Sequence, residues 1–239
     1  MANLISRKQF LHKCLSVLPA IYVPSVFSNT RERAVADNII QLDAMGYPIV
    51  TKEFELFDFE TYKKTSYRVR APGGIVININ VSEFGPNAGI YFNTYHPNSY
   101  FSLFRQFRLD GTLVRKGLSY VQGFQKGVWY YFDEAGRLTK EVNYDDPFKF
   151  TFEDVLMFCE KQNIRVEKGF FSLDAANWPA TILATKIYRE CSTFRCKWEI
   201  EYRMPVQPNF FGELMEKKIV LNGKTGRVMS KRQHIFRYI

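Results

Sequence analysis

Residues 104–144 hold the same hairpin written twice, and no other feature constrains the fold as strongly. The first copy is Phe104-Arg-Gln-Phe107-Arg-Leu-Asp110-Gly111-Thr-Leu113; the second is Trp129-Tyr-Tyr-Phe132-Asp-Glu-Ala-Gly136-Arg-Leu138. Phe104, Phe107, Gly111 and Leu113 align with Trp129, Phe132, Gly136 and Leu138 at a constant offset of 25 residues (111 to 136). Each copy closes on an aromatic, Tyr120 or Tyr144, with one extra residue in the first. A strand, a turn at Asp-Gly or Ala-Gly and a return strand account for the spacing. Glycine adopts positive φ at little steric cost, and the flanking aromatics suit a pleated, half-buried surface. Such a repeat builds a surface and does not assemble a reaction centre.

The second copy, with Gly127 ahead of it and Lys140-Glu141 and Asn143-Tyr144 behind it, resembles the repeat of the MORN-variant proteins known as YwqK-type antitoxins. Their pattern runs roughly G-x-W-x-x-Y-x-x-x-G-x-L-x-x-E-x-x-Y. The first copy lacks the tryptophan and has Lys116 near the family's glutamate. The resemblance covers residues 104–144 and implies an immunity or antitoxin protein that neutralises a cognate bacterial toxin or effector by stoichiometric binding.

Composition is that of a folded protein, with 46% hydrophobic and 24% charged residues. The 22 Phe, 14 Tyr and 3 Trp favour strands and supply interface anchors. The formal charge of +9 attracts anionic partners. No zinc-finger spacing, RNA-binding aromatic motif or basic helix accompanies it. An acidic face on a protein partner is therefore expected, and nucleic acid is not.

Ser6-Arg7-Lys8-Gln9-Phe10-Leu11-His12-Lys13 precedes the apolar stretch Cys14–Phe27, the layout of an export signal. S-R-K-Q-F-L is similar to the twin-arginine motif, with Lys8 at the second arginine. Export would place the protein in the periplasm. The same residues also fit a helix docked through Leu4, Leu11, Leu15 and Leu18, and then a cytoplasmic location follows. Pro19 and Pro24 interrupt the stretch, so no stable membrane span is expected.

Cys191 and Cys196 bracket Ser-Thr-Phe-Arg. A short loop there would let a disulfide close in an oxidising compartment, whereas a continuous strand would turn the two side chains to opposite faces. His12, His96 and His234 are far apart, so no metal site and no cofactor is expected.

The chain is expected to be a β-rich α+β protein in three parts. Residues 1–30 form the export signal or N-terminal helix, 31–147 an antiparallel β domain and 148–239 an α+β region. Glu32–Met45 suits a short helix ending at Gly46. Tyr47–Phe59, Tyr67–Arg70, Ile75–Val81 and Ile90–Phe92 lead as strands into a meander over 47–144 that breaks at Asp145-Asp146-Pro147. Thr151 opens a helix to about residue 163, with Glu153 and Asp154 at its positive end and Phe152, Val155, Leu156, Cys159 and Ile164 on one stripe. Cys159 reads as a core residue. Ala180–Tyr188 fits strand or helix. Lys197–Tyr202, Glu216–Leu221 and Arg227–Phe236 are strands, with Pro205 and Pro208 interrupting a loop.

Trp198-Glu-Ile-Glu-Tyr followed by Asn222-Gly-Lys-Thr-Gly-Arg-Val228 resembles the end of PepSY-type domains, with Asn222 at the family's aspartate. That likeness implies a periplasmic binding or inhibitory module as the alternative, and a structural β-scaffold at the cell envelope is a third reading. Gly223-Lys224-Thr225 is a β-turn and not a phosphate loop, since the upstream glycine and the following helix are missing. Neither a G-x-S-x-G elbow nor H-E-x-x-H occurs, so a non-enzymatic binding protein is expected. Candidate contact residues are Arg105, Arg108, Arg115 and Lys116 from the first hairpin, with Tyr130 and Arg137 from the second. Alternation divides them between two faces of the sheet.

Overall fold

A computed structural model describes residues 40–62, 66–121, 123–170, 184–193, 195–207 and 210–237. The N-terminal segment 1–30, residues 32–39 of the expected first helix, and 180–183 lie outside them. The fold is β-rich α+β; among the described residues it has two antiparallel sheets and one α-helix between them in sequence.

The first sheet is a seven-stranded meander in which every strand pairs with its sequence neighbours. Its strands are β1 (Tyr67–Arg70), β2 (Val76–Ser82), β3 (Gly89–Tyr95), β4 (Phe101–Phe107), β5 (Leu113–Tyr120), β6 (Gln125–Phe132) and β7 (Leu138–Asn143). Helix α1 (Phe152–Lys161) follows. The second sheet, in order β11-β10-β9-β8, comprises β8 (Lys186–Cys191), β9 (Cys196–Gln207), β10 (Phe210–Asn222) and β11 (Val228–Arg237).

The repeated hairpins are β4–β5 and β6–β7, and they match bond for bond. Arg108 N–H donates to the Thr112 carbonyl at 2.8 Å, and Asp133 N–H donates to that of Arg137 at 3.0 Å. Gly111 and Gly136 then donate back to Arg108 and Asp133, from φ of +92° and +76°. Pairing slips by one residue just before Phe107 in the first copy and just before Phe132 in the second. The offset of 25 residues thus survives from letters to backbone.

Alternation assigns the faces. Ile77, Ile79, Ile90, Phe92, Phe107, Leu113 and Phe132 point inward and are buried. Residues 50–62 cover them, with Phe57 5.4 Å from Phe107 and Phe54 5.8 Å from Phe132, ring to ring. This cover also explains the turn glycines a second time. A Cβ on Gly111 would lie 2.6 Å from the Phe59 ring, and one on Gly136 3.1 Å from the Phe54 ring.

Three local expectations are corrected. Ile40–Met45 is not helical: the Asp43 carboxylate accepts from the Met45 and Tyr47 amides, Gly46 takes positive φ, and Leu42 bridges Pro48. A local side-chain turn outcompetes the helix there. Residues 47–59 do not form a strand either; apart from bridges at Pro48 and Leu56 they cross the sheet as an extended cover held by rings. The loop expected around Pro205 is instead strand, because β9 and β10 continue past β8. Beyond Glu201, β9 has β10 as its one described neighbour, so the missing N–H of Pro205 interrupts no second ladder.

One aromatic core joins the two sheets, so the regions read as 31–147 and 148–239 pack as a unit. Phe152, the first residue of α1, lies 5.0 Å from Phe101, 5.4 Å from Tyr120 and 6.3 Å from Trp198. Thr151 caps α1 with Asp154 in a reciprocal box, so the stripe Phe152, Val155, Cys159 reaches this core. Arg189 of β8 lies over the rings of Phe124, Phe148 and Trp198, and its Nη1 is 2.6 Å from Asp145 Oδ1. Lys126 Nζ sits 2.7 Å from the other Asp145 oxygen and 3.3 Å from Glu153, which also accepts the Tyr47 hydroxyl.

Burial works to raise the Asp145 and Glu153 carboxyls. The Lys126 and Arg189 contacts for the first, and the Lys126 charge with the Tyr47 hydrogen bond for the second, overcome it and hold both below the usual carboxylate range. A depressed native pKa means that the unfolded chain binds protons first as pH falls. The contribution is therefore complete above about pH 5 and is lost as pH drops through about 4 and below. Asp145→Asn leaves Arg189 in the core without its counter-charge and should cost about 3 kcal/mol at pH 7. Urea unfolding from pH 3 to 7 checks both statements: the wild type should lose stability below pH 5, and the variant should show a shallower acid limb.

Candidate interaction surface

The two hairpins place the expected contact residues on different faces. Arg105 and Lys116 are direct cross-strand partners on the inner face, and Tyr130 pairs with Lys116 on the same side. Lys116 is 1% exposed, with its ammonium 2.5 Å from Glu55 Oε1 and donating to the Glu53 carbonyl. Arg105 Nε lies 3.2 Å from Glu55 Oε2, close enough for charge attraction but out of line for a hydrogen bond, and its guanidinium stacks over Phe92. Burial draws the Arg105 pKa down against the opposing Glu55 charge. Tyr130 is also buried. These three hold the cover segment in place and offer no contact surface. The strand period carried them inward, and the sequence left open which side the cover would take.

The turn residues divide likewise. Arg108 is half-buried and binds Thr112 Oγ1 at 3.2 Å and the Asp133 carbonyl at 3.5 Å, tying one hairpin turn to the next. Arg137 is exposed and pairs with Asp133 within its own turn. Cys191 ends β8 and Cys196 opens β9; they face each other across the hairpin with Cα atoms 4.0 Å apart, joined as a disulfide.

Arg115 alone of the six lies on the outer face of the first sheet, and there it meets residues that were not among the expected contacts. Three β6 residues, Gly127 to Trp129, stand opposite Gly117 of β5, and this bulge lays the indole of Trp129 flat on the Gly117 backbone. Any Cβ at position 117 would collide with the indole ring. Trp129 Nε1 donates to the Leu118 carbonyl at 3.0 Å. Phe104 lies 5.3 Å from Trp129, Tyr91 6.3 Å from Phe104, and Tyr144 6.1 Å from Trp129 on the other side. The Arg115 guanidinium stands 5.5 Å from the Phe104 ring and 5.8 Å from that of Trp129, oriented by Gln106 Oε1 at 2.8 Å. Tyr131 and Tyr144 share a hydroxyl contact of 2.7 Å, and Lys140 lies 5.9 Å from the Tyr131 ring.

Trp129 is therefore the buried floor of a half-exposed platform made by Phe104, Arg115, Tyr131 and Tyr144. Face parity counted outward from Arg115 would have found Tyr131, its direct partner across β5–β6. The bulge that places Trp129 is legible only afterwards, in Gly117 and Gly127.

Other concavities have less chemistry to offer. A cleft of about 370 Å³ beside α1 is lined by Tyr100, Leu156, Cys159 and Ile164. Burial pushes the Cys159 thiol up to about 12, so it stays protonated at neutral pH and is no nucleophile. Among the described residues no group of three or more His, Cys, Asp or Glu side chains is placed to hold a metal ion.

Trp129→Ala should cost about 3–5 kcal/mol, the range for deleting a buried large aromatic. Arg137→Ala should change stability by under about 1 kcal/mol, since its pair is exposed. Chemical denaturation of the two variants beside the wild type tests the assignment of Trp129 as buried floor and Arg137 as exposed turn residue; a Trp129→Ala loss below about 1 kcal/mol would contradict it.

No protein-family model matches the chain, and no curated protein or solved structure matches it either.

Proposed function

We propose that this chain is an immunity or antitoxin protein that neutralises a bacterial toxin by stoichiometric binding, without turnover of its own, and that the outer face of the first sheet is its contact surface. The platform around Trp129 carries the reading. Aromatic rings and an arginine packed on a stiff sheet lose little side-chain entropy on binding, and Trp, Tyr and Arg are the residues that dominate interface energies. Arg115 and Lys140 give this face a positive field that suits a partner with an acidic face. The toxin as partner class rests on the likeness of the hairpins to MORN-variant antitoxins. The Cys191–Cys196 bridge supports an oxidising compartment such as the periplasm.

Capture from the native cell with the immobilised chain, identification of the retained protein, and co-expression of the pair form the test. A toxic partner should be recovered at fixed stoichiometry, and the cell should survive when both are made. The double variant R115A/Y131A should stay folded and bind at least about 30-fold more weakly, a loss of about 2 kcal/mol for an interface anchor. Affinity for the acidic partner should also fall as salt is raised, because steering is screened over about 8–10 Å at physiological ionic strength. Death of the cell beside folded protein with no complex formed would refute the immunity reading. An unaltered complex with R115A/Y131A would refute the choice of face.

A further inference from the structure

The positive charge of this chain is not evenly spread. Lys217, Lys218, Lys224, Arg227, Lys231, Arg232 and Arg237 all follow Glu216, and no Asp or Glu comes after it. Seven of the nine net charges therefore fall in the last 23 residues. The fold gathers them on β10, the turn over 222–227 and β11.

β11 is an edge. It pairs with β10 from Glu213 to Leu221, and among the described residues no strand lies on its other side. Its ten residues contain no proline, so every position keeps its N–H, and no described strand takes up the groups that face away from β10. The register assigns its side chains. Lys231 and Gln233 lie opposite Ile219 and Lys217, on the face that carries the core. Arg232 lies opposite Lys218 on the other face.

Lys218 is neutralised by Glu199 and by Glu201 at 3.1 Å, whereas Lys217, Lys224, Arg227, Lys231 and Arg232 enter no described ion pair. On the core-side face a groove of about 400 Å³ opens between the end of α1 and the sheet, lined by Gln162, Tyr202, Lys217, Ile219, Lys231 and Gln233. Val228, Met229 and Ile235 are exposed along the same strand.

We propose that β11 is a docking edge for an extended acidic segment of a partner protein, which adds to the second sheet as a fifth strand. Two properties select that occupant. A second copy of β11 would bring like charges face to face across the new ladder, which disfavours self-pairing. An incoming strand with alternate carboxylates would set them beside Arg232 on one face, while its apolar residues lie beside Val228 and Ile235 on the core-side face. The backbone ladder supplies affinity and the charge pattern supplies selectivity. This surface is separate from the Trp129 platform, and the proposal does not depend on the immunity reading.

The test uses the full chain and a fluorescein-labelled decapeptide alternating glutamate and valine. Titration at low salt should raise the anisotropy to saturation at one peptide per chain, and amide exchange should slow within Val228–Arg237. K231E/R232E, at two exposed positions and checked by circular dichroism, should weaken binding about tenfold or more. The same peptide N-methylated at every second residue keeps its charge but loses half its donors, and it should fail to bind. Equal binding of the N-methylated peptide would overturn strand addition, as would slowed exchange elsewhere than β11. Preference for a 20-base-pair DNA duplex or for phosphatidylserine vesicles over the peptide would overturn the choice of partner. Because exchange is read on the unaltered protein, the proposal stays open to refutation even if the double variant unfolds.

Discussion

The union of the two sheets hangs on the contact between Arg189 and Asp145. Arg189 arrives on the second sheet, Asp145 on the chain just after the first, and the guanidinium between them lies against Phe124, Phe148 and Trp198. A cation surrounded by rings is expensive unless a carboxylate and a carbonyl satisfy it, and here the Gln125 carbonyl supplies the second acceptor. Phe152 completes the contact by inserting the start of α1 among rings from both sheets. Without this junction the first sheet would leave Phe101 and Tyr120 in water, and α1 would have no core to pack on.

The other half of the first sheet solves the same problem differently. Its inner face is closed by a segment with almost no regular structure, whose hold comes from Phe54, Phe57 and Tyr62 together with Glu55 gripped by two cations. Burying Lys116 contributes little net stability, because desolvation offsets most of the attraction. What it supplies is register. Only one placement of the cover puts Glu55 between Arg105 and Lys116 and also sets Phe54 and Phe59 over the two turn glycines.

With both inner faces occupied, the remaining surfaces have contrasting chemistry. The outer face of the first sheet is aromatic, with one oriented guanidinium and a tryptophan floor, which suits a broad rigid contact. The edge of the second sheet is cationic, with no described strand along its outer side, which suits an extended chain. The disulfide at the β8–β9 turn sits at the far side of that sheet and constrains the hairpin that delivers Arg189.

Much of the architecture could be read from short-range pattern. The hairpin offset, the alternation of Ile77 and Ile79 with Asn78 and Asn80, the Thr151 cap and the core stripe of α1 are all local, so sequence alone determines them. Inward and outward are not local properties. Arg105 and Lys116 carry the same letters whether they face solvent or Glu55, and only the path of residues 50–62 decides which. The Trp129 platform likewise depends on a bulge opposite Gly117, and the basic edge on β11 being last in its sheet. Sequence determined which residues form strands, because the two-residue period of a strand is written in neighbouring side chains. Tertiary structure decided which face became core and which became surface, because that follows from what packs against it from far along the chain.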